Sequence, residues 1–161
     1  ARRLGNEYLF QMQAQQNIEL LKNYNIKKIV TACPHGYNTL KNEYPQFGGQ
    51  FEVVHWTELI ANLLAEGKVR IIKGDREIVT YHDACYLGRH NNLYDDPRRA
   101  IDSIPGIKRV EMTEDCRDLS FCCGGGGLML FYEPEEDQRM GVLRVEMAKK
   151  AGADDAWRYA A

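Results

Sequence analysis

Glu77-Ile78-Val79-Thr80-Tyr81-His82-Asp83-Ala84-Cys85 begins as an apolar strand and runs straight into a cysteine. A thiol at the carboxyl end of a parallel strand lies where α/β folds place their ligands, although a buried core thiol is the plain alternative at this position taken alone. Working outward, similar strand patterns occur at Ile29-Val30-Thr31-Ala32, which stops at Cys33-Pro34, and at Phe51 to Val54, Val69 to Ile72 and Ile107 to Met112. Helical patterns lie between them. Leu4 to Asn23 is amphipathic, Asn38 to Tyr44 is a shorter helical stretch, and Thr57 is an N-cap candidate for a helix that Gly67 closes. Asp96-Pro97 has the chemistry of a helix start leading to Arg98 to Ser103, and Pro134 to Ala151 reads as a last helix with Gly152 just past its end. Strands alternating with helices predict an α/β domain with a mostly parallel sheet.

Composition narrows the function classes. The 161 residues are 44% apolar and 27% charged, a globular mix that excludes wholesale disorder. A formal net charge of -2 argues against a nucleic-acid partner held by phosphate neutralisation. No apolar run approaches the roughly 20 residues of a bilayer crossing, and no charged segment leads into a secretory apolar one. These features predict a cytoplasmic protein. The first residue is Ala, which points to a piece of a longer chain.

Five cysteines, Cys33, Cys85, Cys116, Cys122 and Cys123, are an odd number with one adjacent pair, a poor disulfide framework. Such clustering without an export signal points to metal or redox chemistry. The sharpest segment is Cys122-Cys123-Gly124-Gly125-Gly126-Gly127. Adjacent side chains leave the backbone on different sides, so both thiolates reach a multi-metal cluster more readily than a single ion. The glycines let backbone N–H groups approach closely, and amides donating to cluster sulfurs tune reduction potential. The segment lacks the Lys-Ser/Thr of a P-loop and the spacing of a dinucleotide fingerprint.

Cys85, a gap of 36 residues, then Cys122-Cys123-Gly124, set within Tyr81-His82-Asp83-Ala84-Cys85-Tyr86-Leu87-Gly88-Arg89 and Ser120-Phe121-Cys122-Cys123-Gly124-Gly125-Gly126-Gly127, resembles the CCG cysteine-rich domain. That domain occurs in a cysteine-rich subunit of heterodisulfide reductases and in iron–sulfur subunits of the electron-transfer-flavoprotein:quinone oxidoreductase type. Its pattern, a cysteine, Cys-Cys-Gly and a closing Cys-x-x-Cys, is usually present twice. Cys33-Pro34-His35-Gly36 resembles the closing segment of a first repeat, with Gly36 in place of its second cysteine. Helix and turn before Cys33 are echoed by the run Val142 to Ala161, with its helix, Lys149-Lys150-Ala151-Gly152 and the start of an extended segment, which places a second closing segment past Ala161.

The resemblance implies pseudo-repeated CCG halves, residues 1–66 ending the first and residues 67–161 forming the second without its closing Cys-x-x-Cys. It implies a 4Fe–4S cluster of noncubane type with Cys85, Cys122 and Cys123 as ligands, Gly124 and Gly125 beside it, and Cys33 as the remnant ligand of the first repeat. It further implies an electron-transfer module of an oxidoreductase subunit, working between a flavoprotein or other redox subunit and a quinone-linked membrane partner or a thiol/disulfide acceptor. The module would then lie peripheral to the inner membrane through partner subunits. Two rivals remain open: a zinc or structural-metal module built on Cys33, Cys85, Cys122 and Cys123, and a metal-free thiol–disulfide enzyme using Cys122 or Cys123. Cys116, in a polar stretch, reads as a surface thiol. His82 reads as a hydrogen-bonded structural residue or a modulator of the cluster, His35 as a stand-in for the thiolate missing at Gly36, and Arg89, Arg98 and Arg99 as a solvated face or as counter-charges.

Overall fold

A computed structural model describes residues 1–74, 76–126, 135 and 138–153. Gly127, which ends the expected glycine loop, and the tail after Ala153 lie outside the described residues, as does Asp75. The chain divides into two units, Ala1–Leu59 and one beginning at Ile60.

In the first unit, helix α1 (Glu7–Asn23) begins where the Asn6 side chain accepts the Leu9 N–H, satisfying a donor that has no partner within the helix. Its buried face, Ala14 and Ile18, packs with Tyr44 and is ringed by Phe10, Leu40, Phe47 and Phe51. Gly49 is required here, because a Cβ at that position would stand 2.6 Å from Ile18 Cγ1. Strand β1 (Lys28–Thr31) pairs in parallel with β2 (Glu52–His55), Lys28 opposite Glu52 and Thr31 opposite His55. Parallel strands need a long crossover. Helix α2 (Pro34–Asn38) supplies it, continuing as a π turn (Thr39–Glu43) and a 3-10 turn (Tyr44–Phe47). The helix therefore starts at Pro34 rather than Asn38. Proline is preset for a first turn, and Cys33 caps it.

Helix α3 (Trp56–Ala65) starts one residue before the expected N-cap, Thr57, whose hydroxyl is occupied by His55 instead. In the second unit, β3 (Glu77–Thr80) pairs in parallel with β4 (Ile107–Val110), Glu77 opposite Ile107 and Thr80 opposite Val110. Helices α4 (Gly88–Asn91) and α5 (Asp95–Asp102) form the crossover, a 3-10 turn spans Arg117–Leu119, and α6 (Met140–Lys150) follows. Both strand pairs are parallel, as the alternation predicts, in separate two-stranded sheets.

Three further local expectations fail. The run from Val69 to Ile72 forms no strand: Lys68 and Val69 N–H groups turn back onto the Leu63 carbonyl, and Ile72 is 93% exposed, so no neighbouring strand receives it. Helix α5 begins at Asp95 with Tyr94 at its cap, leaving Asp96 inside the first turn paired with Arg99. Helix α6 begins at Met140, with Glu135 outside it; Pro134 itself lies outside the described residues. At its far end Gly152 has φ +88, the left-handed conformation of a residue just past a helix.

Candidate metal centre

The chain leaves β3 through Tyr81, His82 and Asp83 before reaching Cys85, and each of these three residues is committed. Asp83 is 3% exposed and Arg98, from α5, 4% exposed. Arg98 Nη1 and Nη2 donate to the two Asp83 carboxylate oxygens at 2.6 and 2.7 Å, a bidentate charge-assisted pair. Arg98 also reaches Glu111 with Nε at 2.7 Å and Nη2 at 3.0 Å, and the Tyr94 carbonyl with Nη1 at 2.8 Å. Burial works against its charge, but the hydrogen bonds to Asp83 and Glu111 outweigh that and hold the guanidinium firmly protonated. The Tyr81 ring lies under Arg98, and burial together with the Asp83 charge pushes its hydroxyl up to about 12.

Asp83 has a second duty. Its Oδ2 accepts the Arg117 backbone N–H at 2.6 Å, which secures a residue held at φ 55. Arg89 in α4 donates Nε to the Asp118 carbonyl at 2.7 Å and Nη2 to the Ser120 carbonyl. Arg144 in α6 donates Nη2 to the Asp115 carbonyl at 2.9 Å and to Ser120 Oγ at 3.3 Å. The strand end, α4 and α6 thus all anchor residues 115–120, the segment that delivers Cys122 and Cys123, and α5 adds Asp95, which accepts from Arg117 Nη2 at 2.8 Å.

Beyond that anchor, Gly124 N–H donates to Cys122 Sγ at 3.3 Å and Gly125 N–H to Cys123 Sγ at 3.4 Å. Gly124 has φ +81, and a Cβ there would stand 2.9 Å from Met140 Cβ at the start of α6. Only glycine fits that close approach. Cys85, Cys122 and Cys123 are all exposed free thiols. The donor set suits a thiolate-ligated iron–sulfur cluster: exposed soft sulfur donors, two of them already receiving backbone amides. Tetrahedral zinc would instead gather its ligands within about 2.3 Å of one ion. Among the described residues, no three Cys, His, Asp or Glu side chains stand close enough to hold a metal ion, so Cys85 is not gathered with Cys122 and Cys123, and proximity favours neither zinc nor a cluster.

Cys33 belongs to the first unit, where its exposed sulfur caps α2 and accepts the Gly36 N–H at 3.4 Å. Gly36 leaves room for a larger residue, since a Cβ there would stand 3.5 Å from Cys33 Cβ and 3.9 Å from its Sγ. His35 lies in the same short helix. The loop before Cys33 is held by His55, 2% exposed, which donates Nε2–H to the Ala32 carbonyl at 3.2 Å and accepts the Thr57 hydroxyl at Nδ1 at 2.8 Å. The carbonyl can only accept, which assigns this tautomer. Burial pushes the His55 pKa down.

Cys116 is half-buried, with its sulfur toward the Thr113 carbonyl, rather than on an open surface. His82 Nδ1 accepts from Arg144 Nε at 3.0 Å, and burial with the nearby Arg144 charge pushes its pKa down to about 4. It is a neutral, hydrogen-bonded residue. Of the three arginines noted in the sequence, Arg99 is exposed, Arg89 is exposed but tied to two carbonyls, and Arg98 is buried, so the expected solvated face does not describe it. Asp83 and Arg144 carried no expectation at all. A lone Arg inside a helical pattern and an Asp beside a His give no periodic signal, and only the convergence of distant elements reveals them.

The model of the CCG family, "Cysteine-rich domain", matches residues 1–41 and 79–156. The chain is 49% identical over 142 residues to the EtfAB:quinone oxidoreductase of Syntrophomonas wolfei, covering 88% of this chain and 20% of that protein. It is 49% identical over 147 residues to the probable iron-sulfur-binding oxidoreductase FadF of Bacillus subtilis, covering 91% and 21% respectively. With a subunit of the dihydromethanophenazine:CoB--CoM heterodisulfide reductase of Methanosarcina barkeri it shares 35% identity over 144 residues, covering 88% and 35%. The chain thus spans a fifth to about a third of the length of these curated relatives. No solved structure matches. The paired cysteine segments and the family match together place this chain in the CCG cysteine-rich domain family.

Proposed function

We propose that this chain is the ligand-bearing part of an iron–sulfur electron-transfer module in a larger oxidoreductase subunit. Cys85, Cys122 and Cys123 would hold a 4Fe–4S cluster of noncubane type, with a fourth thiolate from outside residues 1–161 and with Cys33 as the surviving ligand of a reduced first site. Residues 1–66 then close one CCG repeat and residues 67–161 form most of another. The observation that carries this reading is the pair of backbone amides donated by Gly124 and Gly125 to the Cys122 and Cys123 sulfurs. Such donors stabilise negative charge on thiolate sulfur and favour the ligating form.

A bound cluster supplies one-electron chemistry. The chain's own residues orient the thiols, through the anchors of residues 115–120, and donate amides to two of them. The relatives' names support a flavoprotein donor, as in EtfAB:quinone oxidoreductase, with a quinone-linked or thiol/disulfide acceptor. Among the described residues no helix is long and apolar enough to cross a membrane. We place the module on the cytoplasmic side, reaching a membrane acceptor through partner subunits, as the family resemblance implies. Anaerobic reconstitution of the whole protein is expected to give a brown product with roughly four irons and four acid-labile sulfides per site. A colourless product without iron refutes the reading.

A further inference from the structure

Arg144 is 7% exposed and holds its guanidinium among neutral groups: His82 Nδ1, the Asp115 carbonyl, Ser120 Oγ and Met147 Sδ. Among the described residues no carboxylate comes within ion-pair distance of it, in contrast to the buried Arg98, which has two. Of the two carboxylates whose charge it feels most, Asp115 offers it only its backbone carbonyl, and Asp83 is already used by Arg98 and by the Arg117 N–H. An unpaired buried cation is costly, and native chains retain one where an anion offsets it. Burial accordingly pushes the Arg144 pKa down, while the charges of Asp115, Asp83, Cys116 and Cys123 oppose that fall.

The position of Arg144 is as informative as its burial. Ser120, which it bonds, stands two residues before Cys122. The first turn of its helix packs on the CCG loop, with Met140 against Gly124 and Gly141 beside the Cys123 carbonyl. We propose that Arg144 is the buried counter-charge of the thiolate-ligated cluster, a positioning residue that raises the cluster's reduction potential by stabilising the more negative, reduced form. This inference rests on the iron–sulfur reading above. Reduction adds one electron and no proton at Arg144, so the guanidinium acts as a fixed charge throughout. At an effective dielectric near 20, a unit charge acting over a distance on the order of 10 Å shifts such an equilibrium by about tenfold or somewhat more.

The test compares the whole protein carrying Arg144→Gln, which removes the charge and keeps a donor, with Arg144→Lys, which keeps the charge. Iron and sulfide content of the unsubstituted protein is measured first, and its absence defeats the iron–sulfur reading itself. In iron-loaded protein, a redox titration followed by electron paramagnetic resonance should show R144Q about tenfold less readily reduced, a fall of about 59 mV for a one-electron couple, with R144K shifted far less. Urea midpoints provide the second readout: R144Q should lose more stability in the loaded than in the metal-free protein. Equal potentials in all three loaded proteins overturn the proposal. So does a metal-free R144Q that fails to fold, because Arg144 would then be a structural prop.

Discussion

Asp83→Ala tests whether the cysteine-bearing segment is held from beneath. The substitution removes both oxygens that receive Arg98 and the oxygen that receives the Arg117 N–H at 2.6 Å. With Asp83 and Arg98 side chains only 2% and 4% exposed, water cannot replace those bonds without opening the unit. Removing one member of a buried ion pair costs about 3–5 kcal/mol, because the other charge is left uncompensated. Arg98 keeps Glu111, at 2.7 Å, so the lower end, about 3 kcal/mol, applies here. For a chain of this size that is a fall in Tm of about 6–12 °C. Asp83→Asn keeps an acceptor for the Arg117 N–H and loses the charge, and about half that fall is expected. Thermal unfolding followed by circular dichroism measures both, and hydrogen exchange at the Arg117 amide reports the local anchor, which should open in Asp83→Ala before the rest of the unit. A fall below about 3 °C, or an Arg117 amide exchanging as in the unsubstituted protein, would refute the idea that Asp83 ties strand β3 to the CCG segment.

Other consequences can be checked in the same preparations. His82, with a folded pKa of about 4 against 6.5 unfolded, leaves the unfolded chain binding more protons in between, so metal-free stability should fall as pH drops from 6.5 to 4, by at most about 3 kcal/mol, and His82→Gln should flatten that slope in urea titrations. Gly124→Ala places a Cβ 2.9 Å from Met140 Cβ at φ +81 and should cost about 1–2 kcal/mol and lower iron retention, whereas Gly126→Ala, with nothing within 4 Å, should leave both within error. Gly36→Cys puts two Cβ atoms about 3.5 Å apart, inside bridging range, so the oxidised metal-free variant should gain two titratable thiols on reduction; a full thiol count without reductant would rule out that geometry.

Much of the site was readable before any coordinates. Vicinal cysteines followed by glycines announce close backbone approach, and the amide-to-sulfur bonds of Gly124 and Gly125 are the local consequence. The strand running into Cys85 and the alternation of strands with helices likewise follow from short-range pattern, and both strand pairs are parallel. Where a local signal had competition, it misled. The apolar run at Val69 lacked a partner strand, and Thr57 gave its hydroxyl to His55 instead of a helix end. A strand is completed by a neighbour, and a cap by a free hydroxyl, neither of which a single segment can guarantee.

By itself, the sequence determined which chemistry is present: thiols, their spacing, and glycines that allow amides to reach sulfur. Only the tertiary structure decided which charges are buried with a partner and which without. Arg98 and Arg144 look alike in a helical pattern, yet one meets two carboxylates and the other meets carbonyl, hydroxyl and imidazole. Burial and pairing arise when residues 83, 98, 111, 117, 120 and 144 converge from separate elements, and the electrostatic cost of a charge depends on that convergence rather than on its neighbours in the chain.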